Sequence, residues 1–200
     1  MRRFLYFCLS FFLIIIATAR CSQADESIQP TTEPVSGLLT TDPEIAGKLQ
    51  AAALQIGDLP ADYRLTISNL TPTVSDIPGD AEQGLNGFLL RQFESLGKMT
   101  IVSTLFSYAS EEAASKAFEI TKEGVETYSN ELKINGISGD SLGRQENFKI
   151  GDLTQSNAAY AFRQGKVIAT FLFVNPSGNL DQSLMEKTIN LVFKRIEEIL

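Results

Sequence analysis

Histidine and tryptophan are absent from the 200 residues, and cysteine occurs only at Cys8 and Cys21. Without histidine there is no Ser–His or Cys–His couple and no imidazole metal ligand, which removes the commonest catalytic and zinc arrangements. From Ser22 onward no cysteine remains, so the bulk of the chain can form no internal disulfide. Positive charge is also scarce. The formal net charge is −7; once Arg2, Arg3 and Arg20 are set aside, 14 of the 17 basic residues face 24 acidic ones, a net −10. Such a surface repels a phosphate backbone and an anionic lipid surface, so nucleic acid is excluded as a partner. No cofactor-binding motif is present.

Two arginines precede Phe4–Ala19, sixteen residues without a charge. A basic start followed by an apolar run is an export-signal pattern. As a helix the run spans about 24 Å, short of the ~30 Å hydrocarbon core, which favours a signal over a permanent span. "ATA" at Ala17–Ala19 fits the small-x-small cleavage rule and would leave Arg20 as the new terminus. Alternatively, Cys21 resembles the lipidated cysteine of bacterial lipoproteins, although Arg20 stands where that motif has a small residue. An uncleaved anchor is the third possibility. A sole cysteine at the end of the leader is accounted for by acylation, so Cys21 is taken as the lipidation candidate. Localisation is then extracytoplasmic and membrane-anchored, with plain secretion as the alternative.

Residues 1–20 thus form an export segment. Residues 21–41, polar and carrying Pro30 and Pro34, read as a flexible tether, and 42–200 as a single domain. Asp42-Pro43-Glu44 is a helix start, with Ile45, Leu49, Ala52 and Ile56 on one stripe and Gly57 as the stop. Strands are expected at Tyr63–Ser68, Leu85–Glu94, Met99–Tyr108 and near Arg144–Ile150. A helix should open at Ser110, and the last helix carries Met185, Ile189, Val192, Ile196 and Ile199 on one stripe. "AAYAFRQGKVIATFLFV" reads as a hairpin turning at Gln164-Gly165. Val167–Val174 is apolar at nearly every position, so its strand needs cover on both faces. The expected class is α+β: an antiparallel-rich sheet of about six strands flanked by three helices, an α/β/α sandwich. Gly97-Lys98 and Gly165-Lys166 each precede a strand and then a helix, a faint internal repeat.

The order of these elements and the hairpin "AFRQGKVIATFLF" resemble PsbP-like domains and related lipoprotein domains of bacteria, over residues 42–200. The resemblance implies a non-enzymatic accessory, assembly or binding domain on the outer face of a membrane, and it carries over no site residue.

Candidate sites are few. Asp76, Asp80 and Glu82 share a loop with Pro78 and Gly79, but their spacing does not match a calcium loop, and they read as a solvated acidic segment. Arg163, Gln164 and Lys166 are expected to be the most exposed basic group, at a hairpin tip, where basic residues also guard a sheet edge. Ser95-Leu96-Gly97-Lys98 has S-x-x-K spacing but falls in a probable turn instead of a helix start. Phe88, Phe93, Phe106, Phe162, Phe171 and Phe173 could line an apolar pocket, though strand aromatics usually form core. The expectation is a tethered, non-enzymatic accessory or binding domain attached to a membrane through its N-terminal anchor. A carrier of a small apolar ligand and a carboxylate hydrolase are the alternatives.

Overall fold

A computed structural model describes residues 38–39, 42–66 and 84–199. Their elements run β1 (Leu38–Leu39), α1 (Pro43–Ala52), a 3-10 turn (Ile56–Asp58), β2 (Arg64–Leu65), β3 (Leu85–Glu94) and β4 (Thr100–Tyr108). There follow α2 (Glu111–Val125), β5 (Asn130–Glu131), β6 (Asp140–Ile150), β7 (Leu153–Gln164), β8 (Val167–Asn175) and α3 (Gln182–Ile199). Seven strands lie side by side in the order β1-β3-β4-β8-β7-β6-β5, and β2 pairs with the far end of β3. Every pairing is antiparallel. The class is therefore α+β, as expected. The strand count is not six: the sheet has seven strands in line plus β2. Leu38–Leu39, placed in the tether by composition, pair with Leu89 and Phe88 as β1.

The helices start where the sequence places their caps. Asp42 Oδ1 accepts from the Glu44 N–H at 2.8 Å, and Ser110 Oγ accepts from Ala113 N–H at 3.1 Å. Asp181 Oδ1 serves α3 in the same way, from Leu184 N–H at 2.9 Å. The end of α1 differs from the expectation. It stops at Ala52, and Ile56 sits 44 % exposed in the 3-10 turn. The reason is that the next carbonyls are used elsewhere: Ala53 O accepts from Arg195 at 3.0 Å and Leu54 O from Arg91 at 2.7 Å. Both residues are buried by this pull.

Alternation splits the central strands into two cores. Ile101, Leu105, Phe162, Ala169, Phe171 and Phe173 face one way, with Leu49 of α1 and Met185, Ile189 and Val192 of α3. Phe88, Phe106, Ala161 and Ile168 face the other, with Ala114, Ala117 and Phe118 of α2. This is why Val167–Val174 is apolar at consecutive positions: it has a core on each side. The β7–β8 connection is a two-residue loop, Gly165-Lys166, between the paired Gln164 and Val167. Gly165 has φ +55° and Lys166 a negative φ, so the turn places its glycine at the first central position. The hairpin–helix units β3–β4–α2 and β7–β8–α3 put their helices on opposite faces of the sheet. They therefore have opposite hand, and no rotation superposes one on the other as a duplication would require.

Candidate functional site

Cys21, Asp76, Asp80 and Glu82 lie outside the described residues. The hairpin-tip group is not what the sequence suggests. Arg163 is largely buried and braced: its Nη2 and Nε donate to Asp140 Oδ2 at 2.6 and 3.0 Å, and its Nη1 donates to Gly165 O at 3.1 Å. It ties the first residue of β6 to the turn and offers no free cation. Gln164 is half-buried, and Lys166 alone of the three is exposed. The six phenylalanines are all buried, divided between the two cores.

Ser95 and Lys98 come together, but on a third residue. Ser95 Oγ donates to Asp62 Oδ2 at 2.6 Å, and Lys98 Nζ lies 2.6 Å from the same oxygen. Lys98 first, and then the Ser95 hydroxyl, hold the Asp62 carboxyl down to about 2. Asp62 Oδ2 accepts from the Ser95 hydroxyl and pairs with Lys98 at once, so both side chains are committed to the one carboxylate. The trio is a clasp between the β3–β4 turn and the segment before β2.

A second ionic cluster joins α3 to the 3-10 turn. Arg195 donates to both carboxylate oxygens of Asp58, at 2.7 and 2.8 Å, while Asp58 Oδ2 also accepts from Gln55 N–H at 2.7 Å. Burial pushes the Asp58 carboxyl up, but the Arg195 and Gln55 hydrogen bonds and the charges of Arg195 and Lys187 outweigh it and hold it below its usual range. Both of its oxygens are hydrogen-bonded to the protein, tying α3 to the turn. Among the described residues no group of three or more His, Cys, Asp or Glu side chains is disposed to hold a metal, and no helix is long and apolar enough to cross a membrane.

Two clefts remain. One, of about 280 Å³, lies at the turn end of the β7–β8 hairpin, on Ile45, Leu49, Val167, Ile196 and Ile199, with Lys48 and Lys166 at its rim. The other, of about 260 Å³, is of a different kind. Its walls are Asn130 of β5, Gln145 and Asn147 of β6, Ser156 of β7, and Asn179, Leu180 and Gln182 at the approach to α3, with Glu146 the one ionisable residue among them. Register explains the convergence. Gln145 pairs with Ala158 and Asn147 with Ser156, so these side chains share the face of the α3-side core, at the point where that core gives out near the sheet edge. Gln182 is engaged, donating to Glu186 Oε1 at 3.0 Å. The side chains of Asn130, Gln145, Asn147 and Asn179 make no hydrogen bond to the described residues, and neither does the hydroxyl of Ser156, a residue only 2 % exposed. None of these positions carries a motif. The only signal in the sequence is local density of amide side chains, in "RQENF" and "NPSGN".

No protein-family model matches the chain, and no curated protein matches it. Among solved structures, the extracellular domain of PknH from Mycobacterium tuberculosis aligns at a TM-score of 0.37 and 6 % identity, over 83 % of this chain and 79 % of that one. Likeness at that level carries no argument about fold or function.

Proposed function

We propose that the chain is an exported, membrane-tethered, non-enzymatic binding domain whose ligand site is the amide-lined cleft. The observation that supports this most is the set of unpartnered amides and the Ser156 hydroxyl around one hollow, whereas the Asp62 and Asp58 clusters are spent on the fold. Side-chain amides recognise ligands by hydrogen bonding; they have no nucleophile or proton shuttle among them. Lipidation at Cys21 would hold the domain near an outer membrane surface, and the resemblance to PsbP-like accessory domains agrees with that role. Helices α1 and α3 on one side of the sheet and α2 on the other are read as the layers of an α/β/α sandwich. The apolar-carrier reading has the second cleft in its favour, but about 280 Å³ is small for an acyl chain.

The tether is tested by the intact mass of protein extracted from membranes, wild type beside Cys21→Ser. A chain beginning at Cys21 with added acyl mass, lost in the variant, is expected. A chain beginning at Arg20 with a free thiol, or an intact Met1 terminus, would remove lipidation from the account.

A further inference from the structure

The amide-lined cleft has a composition selective enough to name a ligand class, given the reading that it is the ligand site. Its walls carry no lysine or arginine, so an anion such as a phosphate or carboxylate finds no counter-charge there. Glu146 is its single carboxylate and the amide oxygens beside it are neutral, so the cleft offers a hard cation little negative charge. Leu180 is its one apolar wall residue, which rules out an aliphatic chain or an aromatic ring as the main occupant. A ligand with hydrogen-bonding groups all around and no net charge is what remains. Each amide presents an acceptor and two donors side by side, the pattern that adjacent hydroxyls satisfy by donating to one atom and accepting from the next. Ser156, a residue only 2 % exposed, adds a hydroxyl that makes no hydrogen bond to the described residues and opens into the cleft, where a ligand can pair with it. At about 260 Å³ the hollow lies below the ~300 Å³ at which clefts for drug-sized ligands begin. It takes one ring, not a chain of them.

We infer that this cleft binds one neutral sugar ring, through Asn130, Gln145, Asn147, Ser156 and Asn179, with Leu180 against its C–H face. The test uses the full chain in lipid nanodiscs, ¹⁵N-labelled, titrated with glucose, galactose, mannose and N-acetylglucosamine, with glycerol and glucose 6-phosphate as comparators. At least one sugar should give saturable shifts at Asn147, Ser156 and their neighbours, with Kd on the order of 1 mM. Asn147→Leu, at an exposed rim position that tolerates a change of side chain, should weaken that sugar about tenfold while leaving distant resonances in place. Ser156→Ala should weaken it by a similar factor. The inference is overturned if no neutral sugar saturates by ~50 mM, if glycerol or the phosphate ester matches the best sugar, or if Asn147→Leu changes nothing. A soluble fraction of the cell envelope that shifts the cleft when all four sugars fail would refute the sugar and leave the binding site standing. Failure of both would refute the site itself.

Discussion

At the scale of single residues, three ion pairs tie distant segments together: Asp62–Lys98, Asp140–Arg163 and Asp58–Arg195. Asp62 shows it with a pH signature. Its carboxyl titrates near 2 when folded against 3.8 as the ordinary value, so its contribution to stability is complete above about 3.8 and is lost as pH falls through about 2. Asp62→Asn should therefore melt lower than wild type at pH 7, and the gap should close between pH 4 and pH 2. A gap that stays constant across that range would mean that the clasp with Ser95 and Lys98 is not formed. Asp58 is more deeply embedded, with its side chain only 14 % exposed and that of Arg195 24 %. Asp58→Ala leaves Arg195 and the nearby Arg91 facing each other without a counter-charge, and should cost about 3 kcal/mol in urea denaturation. A loss near zero would show that water already screens the pair. Neither clasp was legible beforehand, because Asp58–Arg195 and Asp62–Lys98 join positions far apart in sequence that nothing local marks as partners. The S-x-x-K spacing marks two residues that do come together, but on Asp62 and not on each other.

At the scale of elements, what local physics governs was legible. The helix caps at Asp42 and Ser110, the β3–β4 pair and the doubly covered β8 all follow from capping and hydrophobic pattern. The misses have physical causes. Strand β6 starts at Asp140, earlier than Arg144, because a polar strand covered on its outer side only by the two residues of β5 has no apolar pattern to announce it. Two-residue strands such as β1 and β5 are made by their partners, not by their own propensity. Gly143 shows how β5 is placed. A Cβ there would strike the Leu132 carbonyl oxygen and lie 2.5 Å from the Tyr160 ring. A backbone carbonyl cannot turn aside, so Gly143→Ala should cost about 3 kcal/mol and strip hydrogen-exchange protection from Asn130–Leu132, opening one wall of the cleft. Gly87→Ala meets the methyl ends of Ile45 and Leu49 at 2.6 and 2.9 Å, groups that can rotate, and should cost only about 1 kcal/mol. Equal losses at the two glycines would contradict this account of β5.

At the scale of the whole molecule, the candidate site could not be read from the chain. Its walls come from β5, β6, β7 and the approach to α3, and each asparagine or glutamine taken alone reads as an ordinary solvated residue. Only the sheet register brings Gln145, Asn147 and Ser156 onto one face, and only the place where the core gives out leaves them unpaired. Export and anchoring are the reverse case: they rest on "IIIATARCSQ" and are read without any fold. The proposed function joins the two: a domain tethered at a membrane surface and a ligand bound at one polar hollow. The most direct measurement is backbone-amide shift mapping of the full chain in nanodiscs, against a soluble envelope fraction from the cells that make it. Shifts gathered at Asn130, Gln145, Asn147, Ser156 and Asn179 are the predicted result; shifts gathered instead around Lys166 and Ile199, or no shifts anywhere, would contradict it.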